Sequence, residues 1–248
     1  MKDRSWLTQG EWQVRFEWGP SGVEAVPSDV VVVVDVLRFT TAVDAAVSRG
    51  AVVFPYRWKD PSAVAYAERV GAVLAGAGEP RGPSLSPVSL LALGPGDRIV
   101  LPSPNGSTCA EVAASTGATV FAGCLRNASA IGTFLGDARH TVTVIACGER
   151  WPDGSLRPSL EDYLGAGAVI SALDGSRSPE ADAAARAWLT ASPRIAEVIP
   201  DCVSGRELIA RGWERDLEFA LAVDASSCVP VLREGFVDAT NPPQTGRE

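Results

Sequence analysis

Apolar residues in this chain fall into short runs separated by polar, glycine and proline stretches. Residues 30–36, VVVVVDV, are the strongest run. A β-branched stretch without polar alternation predicts a strand covered on both faces. Residues 12–18, WQVRFEW, alternate large apolar with polar positions and predict a half-buried strand. Further strands are expected at 51–54, 71–75, 98–101, 118–122, 141–146 and 228–232. Helices are expected from Thr40 to about Ser48 and over 61–70, 127–135, 160–173, 179–189, 204–211 and 215–223, with one more after the loop PSPNGST. Residues 19–28, rich in Gly, Pro and Ser, read as a loop. The alternation of strands and helices predicts a three-layer α/β/α sandwich with a mostly parallel sheet joined by crossovers. Nothing marks a linker, so residues 1–248 are expected to form one domain, with loose ends at 1–10 and 239–248.

Length and charge narrow the functional classes. The 248 residues can bury a sizeable core. A net charge of −8, with no cluster of Lys or Arg, disfavours nucleic acid. No apolar run reaches the roughly 20 residues of a membrane span, and the N-terminus lacks a signal-peptide core, so a cytoplasmic location is expected. The five cysteines are dispersed without a C-x-x-C pair, which predicts buried thiols rather than a zinc or disulfide framework. The single histidine, His140, excludes a multi-histidine metal site and reads as a polar residue at a strand entry. No G-x-S-x-G elbow, P-loop or G-x-G-x-x-G fingerprint is present, and Leu37 stands where a D-x-D phosphatase needs its second acid. A homodimer is the default assembly.

The candidate chemistry lies at strand ends. A buried strand does not hold a lone carboxylate in its middle, so Asp35 belongs at the carboxyl end, where open α/β sheets bind ligands. Asp35 and Arg38 form either a site for an anion or metal, or a structural ion pair closing the turn. Thr41 and Asp44 have capping-box spacing. Other polar strand ends are Gly78-Glu79 with Arg81, Ser103 to Thr108, and Gly148-Glu149-Arg150. In a parallel sheet all four would share one edge. Asn105-Gly106-Ser107-Thr108 opens a helix, where free amides and the dipole suit a phosphate. The same residues also suit a plain cap, with Asn105 at the N-cap and Thr108–Glu111 as a box. Glu161 and Asp162 begin another helix. Ser159 with Asp162 fits a capping box, whereas paired acids also supply the oxygens that Mg²⁺ takes. Gly165 and Gly167 in that helix predict close packing on a neighbour.

Taken in order, VVVVVDVLRFTTAV, AGAGEPRG, SPNGSTCA, AGCLRNASAI, SLEDYLGAGAVI and SGRELIARGWERDLEFALAVDASSCVPVL resemble the 2-phosphosulfolactate phosphatase family over residues 28–233. The resemblance implies an α/β/α, Mg²⁺-dependent phosphatase of 2-hydroxy-acid phosphate esters, with 2-phosphosulfolactate on a route to coenzyme M as the named substrate. With the clustered strand ends, it leads to the expectation that Asp35 and one or more of Glu79, Glu161 and Asp162 hold Mg²⁺, with Asp35, Arg38 and Glu161 in the chemistry. Arg38, Asn105, Gly106, Ser107, Thr108 and Asn127 would contact the phosphoryl group or substrate, and Arg81 the substrate carboxylate. Attack by a metal-polarised water is expected, with an aspartyl-phosphate on Asp35 as the alternative. In this chain Pro83-Ser84-Leu85-Ser86-Pro87 replaces the glycine-rich stretch with Gly-Phe-Asp and Asn-Ser-Pro that family members usually carry. That departure leaves two other readings: hydrolysis of another carboxylated phosphate, or a relative that binds small anions without turnover.

Overall fold

The computed structural model describes residues 5–76, 82–136 and 140–241. After a 3-10 turn, Ser5–Thr8, come β1 (Val14–Trp18), α1 (Gly19–Ala25), β2 (Val30–Val34), α2 (Phe39–Val47), β3 (Val52–Tyr56), α3 (Ser62–Arg69) and β4 (Val73–Leu74). The middle of the chain forms α4 (Pro87–Leu90), β5 (Arg98–Pro102), α5 (Gly106–Ser115), β6 (Thr119–Gly123), α6 (Ala128–Leu135) and β7 (Val142–Ala146). A small hairpin, β8 (Glu149–Arg150) and β9 (Leu156–Arg157), leads into α7 (Leu160–Ala172). Then follow α8 (Pro179–Ala191), α9 (Ile195–Asp201), α10 (Val203–Ala210), α11 (Glu214–Ala220), β10 (Pro230–Leu232) and β11 (Phe236–Asp238). The expected strand–helix alternation holds over most of this length. Residues 19–28 differ: Pro20 starts a short helix there and Val23 anchors it in the core. The 149–157 hairpin, α9 and β11 were not expected from the sequence.

The main sheet has the order β1-β7-β2-β6-β10-β11-β3-β5-β4. β1, β7, β2 and β6 run parallel, as do β3, β5 and β4. The β10–β11 hairpin bridges the two blocks by antiparallel pairs, so the blocks have opposite directions. The sheet is mostly parallel, but its carboxyl ends do not all share one edge, contrary to the sequence expectation. Strand twist of about 20–25° per neighbour accumulates to roughly 100–125° over the five steps from β2 to β5. A twist of that size turns the carboxyl end of β5 towards that of β2 although the two blocks run in opposite directions. α5 packs on both β2 and β3, four places apart, so the sheet bends around this helix.

Every residue of β2 is buried, as its unbroken valines require. Val30, Val32 and Val34 face one core with α6 to α8, and Val31 and Val33 face the other with α2 and α5. A third, smaller cluster of Phe54, Ala67 and Val100 lies under α3. The result is three layers, helix, sheet and helix. The glycines of α7 permit its approach: a Cβ on Gly167 would lie 2.2 Å from the Ala184 carbonyl of α8, and one on Gly165 2.5 Å from Val36. No described helix is long and apolar enough to cross a membrane.

Candidate active site at the ends of β2, β5 and β7

Asp35 directly follows β2 and is buried, 7% exposed. Its Oδ1 accepts the Phe39 amide at 3.1 Å, and its Oδ2 accepts the Gly106 amide at 3.0 Å. Ser103 Oγ reaches Oδ2 at 3.5 Å. Thr40 Oγ1 donates to the Asp35 carbonyl at 2.8 Å and lies 3.0 Å from its amide, which fixes the turn. Two helix starts, α2 and α5, thus aim an amide at one carboxylate. The Leu37–Arg38 peptide is cis.

Three further acids surround Asp35. Asp162 Oδ1 accepts the Val36 amide at 2.8 Å, and its Oδ2 accepts the Gly148 amide at 2.9 Å and Ser159 Oγ at 3.0 Å. Its carboxylate therefore ties the ends of β2 and β7 together. Glu161 is 2% exposed and is met by the Cys202 thiol at 3.4 Å. Glu149 is half-buried, and its Oε2 accepts Asn105 Nδ2 at 2.9 Å. Burial, then the charges of Glu149 and Glu161, push Asp35 up to about 7 against the pull of its two amide donors. Burial and the charges of Asp35 and Glu161 push Asp162 well above the usual carboxylate range. Burial also raises Glu149, helped by Glu161 and opposed by Asn105 and Arg157. No Arg, Lys or His among the described residues forms an ion pair with any of the four. A like-charged buried group of this kind keeps protons or takes up a cation. No three metal-ligating side chains among the described residues form a ready-made cage.

Arg38, three residues on from Asp35, lines a cleft of about 460 Å³ together with Lys59, Asp60, Ser86, Pro102 and Trp213 among others; none of the four acids lines it. Arg38 Nη1 pairs with Asp216 Oδ2 at 2.5 Å, and the guanidinium stacks 3.8 Å over Trp213. Asp216 Oδ1 also accepts Ser86 Oγ. Arg38 is thereby fixed by groups from α11 and from the loop before α4. The Asp35–Arg38 ion pair that the sequence allowed is not formed, because Asp216 takes the guanidinium.

The remaining candidates divide. Asn105 sits at the N-cap position of α5, but its side chain reaches Glu149 instead of capping. Ser107 is fully buried and donates to the Leu101 carbonyl at 3.1 Å, and Thr108 Oγ1 donates to the Pro104 carbonyl at 2.6 Å. Both hydroxyls thus serve the backbone, while the Ser107 and Thr108 amides, in the helix's first turn, have no acceptor within it. Glu111 pairs with Arg57 rather than capping α5. Asn127 is fully buried, with Oδ1 accepting the Cys124 amide at 2.9 Å and Nδ2 donating to the Ala122 carbonyl at 3.2 Å. It braces the turn between β6 and α6. The Thr41–Asp44 box is also absent: Thr41 donates to the Val36 carbonyl at 2.7 Å, and Asp44 holds Arg126 at 3.0 Å and Ser226 at 2.6 Å. Glu79 and Arg81 lie outside the described residues. Glu149 stood in a visible strand-end motif but was not singled out as a site residue. Trp213 and Asp216 lie in the SGRELIARGWERDLEF motif but were given no role, and Lys59 and Cys202 carry no local signal.

Residues 20–235 match the family model described as 2-phosphosulpholactate phosphatase. A 2-phosphosulfolactate phosphatase of Methanothermobacter thermautotrophicus is 28% identical over 218 residues, covering 85% of this chain and 90% of that protein. Proteins named probable 2-phosphosulfolactate phosphatase in Carboxydothermus hydrogenoformans and Thermus thermophilus are 30% and 31% identical. They cover 87% and 83% of this chain, and 92% and 88% of their own lengths. With the family model spanning all of the site's described elements, the chain belongs to the 2-phosphosulfolactate phosphatase family.

Proposed function

We propose that the protein is a Mg²⁺-dependent phosphatase that hydrolyses the phosphate ester of a 2-hydroxy carboxylic acid, with 2-phosphosulfolactate, the compound its relatives are named for, as the first candidate. The observation that carries this reading is the acid group around Asp35, without an ion-pair partner among the described residues, three residues before the Arg38 that lines the cleft. Carboxylate oxygens with open lone pairs are what Mg²⁺ takes, commonly one or two of them together with water and substrate phosphate. Asp35 and Glu161 fit that role. Asp35 and Asp162 each accept one amide on both oxygens, but Asp162 Oδ2 also takes the Ser159 hydroxyl, so Asp162 has fewer lone pairs left and orients the two strand ends instead. Mg²⁺ held there would polarise the attacking water and offset charge on the phosphoryl oxygens.

The chain's own groups supply the rest. Arg38 spends one donor on Asp216 and turns the others to the phosphoryl oxygens, its plane set by Trp213. The free amides that open α5 add donors on the other side. Glu149 carries a raised pKa and is held by Asn105. It would hold the proton that the departing ester oxygen takes up as the P–O bond breaks and water oxygen joins phosphorus, while the proton that this water releases passes to solvent, from which Glu149 is reprotonated. The products are inorganic phosphate and the hydroxy acid.

The test is phosphate release from 2-phosphosulfolactate and 2-phospholactate, each with Mg²⁺ and with chelator. Chelator-sensitive release is expected. No release from either ester, in a protein that both still stabilise thermally, would replace this reading with that of a binding protein.

A further inference from the structure

The cleft holds a cation that the proposed chemistry does not use. Lys59 follows β3, is exposed and lines the cleft together with Asp60. Among the described residues it makes no hydrogen bond or ion pair. Its neighbours are occupied: Arg57 pairs with Glu111, and the Asp60 carboxylate is engaged by the amide and hydroxyl of Ser62. In a chain of net charge −8, an unpaired lysine beside a fixed arginine marks where negative charge is received. The two cations differ in kind. Arg38 is locked by Asp216 and Trp213, whereas Lys59 is a flexible point charge lining the same cleft. Leu74, Ala75 and Leu85 give the space between them an apolar lining. That pattern fits a short carbon skeleton carrying two anionic groups.

We propose that Lys59 receives the substrate's second anionic group, its carboxylate or sulfonate, and so selects acid-bearing phosphate esters over neutral ones. The identity of the first group as a phosphoryl rests on the phosphatase reading above. Lys59 is a specificity residue and takes no part in breaking the P–O bond.

The experiment compares 2-phospholactate with isopropyl phosphate, which has a methyl group in place of the carboxylate, in wild type, Lys59→Met and Lys59→Arg. A charge-assisted contact of this kind is worth about 10-fold or more. Lys59→Met is expected to lower kcat/KM for 2-phospholactate by about that factor, through KM, and to leave isopropyl phosphate unchanged. Lys59→Arg is expected to keep the preference. An unchanged ratio of the two esters in Lys59→Met overturns the proposal. If wild type hydrolyses neither ester, calorimetric titration of the same pair decides. Weaker binding of 2-phospholactate alone in Lys59→Met upholds Lys59 while the phosphatase reading falls. Equal binding in wild type and variant, or none to wild type, overturns both.

Discussion

The Gly106 amide donates to Asp35 Oδ2 at 3.0 Å, joining the start of α5 to the end of β2 across five places in the sheet. The contact needs glycine for room. A Cβ at position 106 would lie 2.2 Å from the Phe39 ring and 2.7 Å from Asp35 Oδ2. Phe39 is fully buried and cannot swing aside. Gly106→Ala is therefore expected to push α5 off the carboxylate. Overpacking of this kind costs about 1–3 kcal/mol, readable by urea unfolding. Phosphatase activity should fall further than stability alone explains, because Asp35 loses one of its two amide donors. An alanine variant with wild-type stability and turnover would show that this contact is not needed.

Asp35 also sets a pH dependence. Its raised pKa means that the folded state holds the proton more tightly than the unfolded state. The contribution to stability is full below the ordinary carboxylate value, about 4, and is lost as pH rises through about 7. Metal-free protein should thus lose thermal stability from this group between those values. Asp35→Asn has no such proton to lose, so its melting temperature should fall less over the same interval. Added Mg²⁺ should raise the wild-type melting temperature most at the alkaline end, where the carboxylate is ionised. Parallel curves for wild type and Asp35→Asn would exclude Asp35 as the titrating group. In turnover, Asp35→Asn is expected to lose about 100-fold or more, as for other groups that stabilise transition-state charge.

The sequence showed Asp35 clearly, because an unbroken valine run leaves its charge nowhere to go but the strand end. It showed Glu161 and Asp162 equally well as a pair, and the glycines of α7 as contact points. It did not show which acid serves the backbone, since that depends on Val36 and Gly148 being brought together by strand pairing. Ser107 and Thr108 looked like phosphate ligands, yet hydroxyls early in a helix compete for nearby carbonyls, and both found one. The β10–β11 hairpin was half hidden, because β11 has only three residues and its partners are distant in sequence. Asp216 lies 178 residues from Arg38, so no spacing rule could pair them.

That distant pair yields a third expectation. Arg38→Lys keeps the positive charge but removes the planar stack on Trp213 and the fork of donors. A lysine reaching Asp216 would have no fixed donors left for a phosphoryl group. Activity should drop by about 10- to 100-fold, on the scale of one or two lost charge-assisted contacts. Asp216→Asn should act in the same direction by freeing the guanidinium and the Ser86 contact. If Arg38→Lys turns over substrate as wild type does, Arg38 serves only as a structural tie between β2 and α11.

The adjacent acids of α7 separate structure from chemistry. Asp162 holds two backbone amides and a hydroxyl, so Asp162→Asn replaces an acceptor with an amide donor that faces one of those N–H groups. Leaving a buried donor unsatisfied costs about 1–3 kcal/mol, and the variant should unfold at lower urea. Glu161 is held only by the Cys202 thiol and sits among like charges. Glu161→Gln relieves repulsion without stranding a backbone group, so its stability should match or exceed that of wild type. Its Mg²⁺-dependent phosphate release should nevertheless fall steeply, with a weaker response to added Mg²⁺. The two variants thus move opposite readouts. Loss of stability in Glu161→Gln with retained activity would exchange the roles assigned here, making Glu161 the brace and Asp162 the metal-side oxygen.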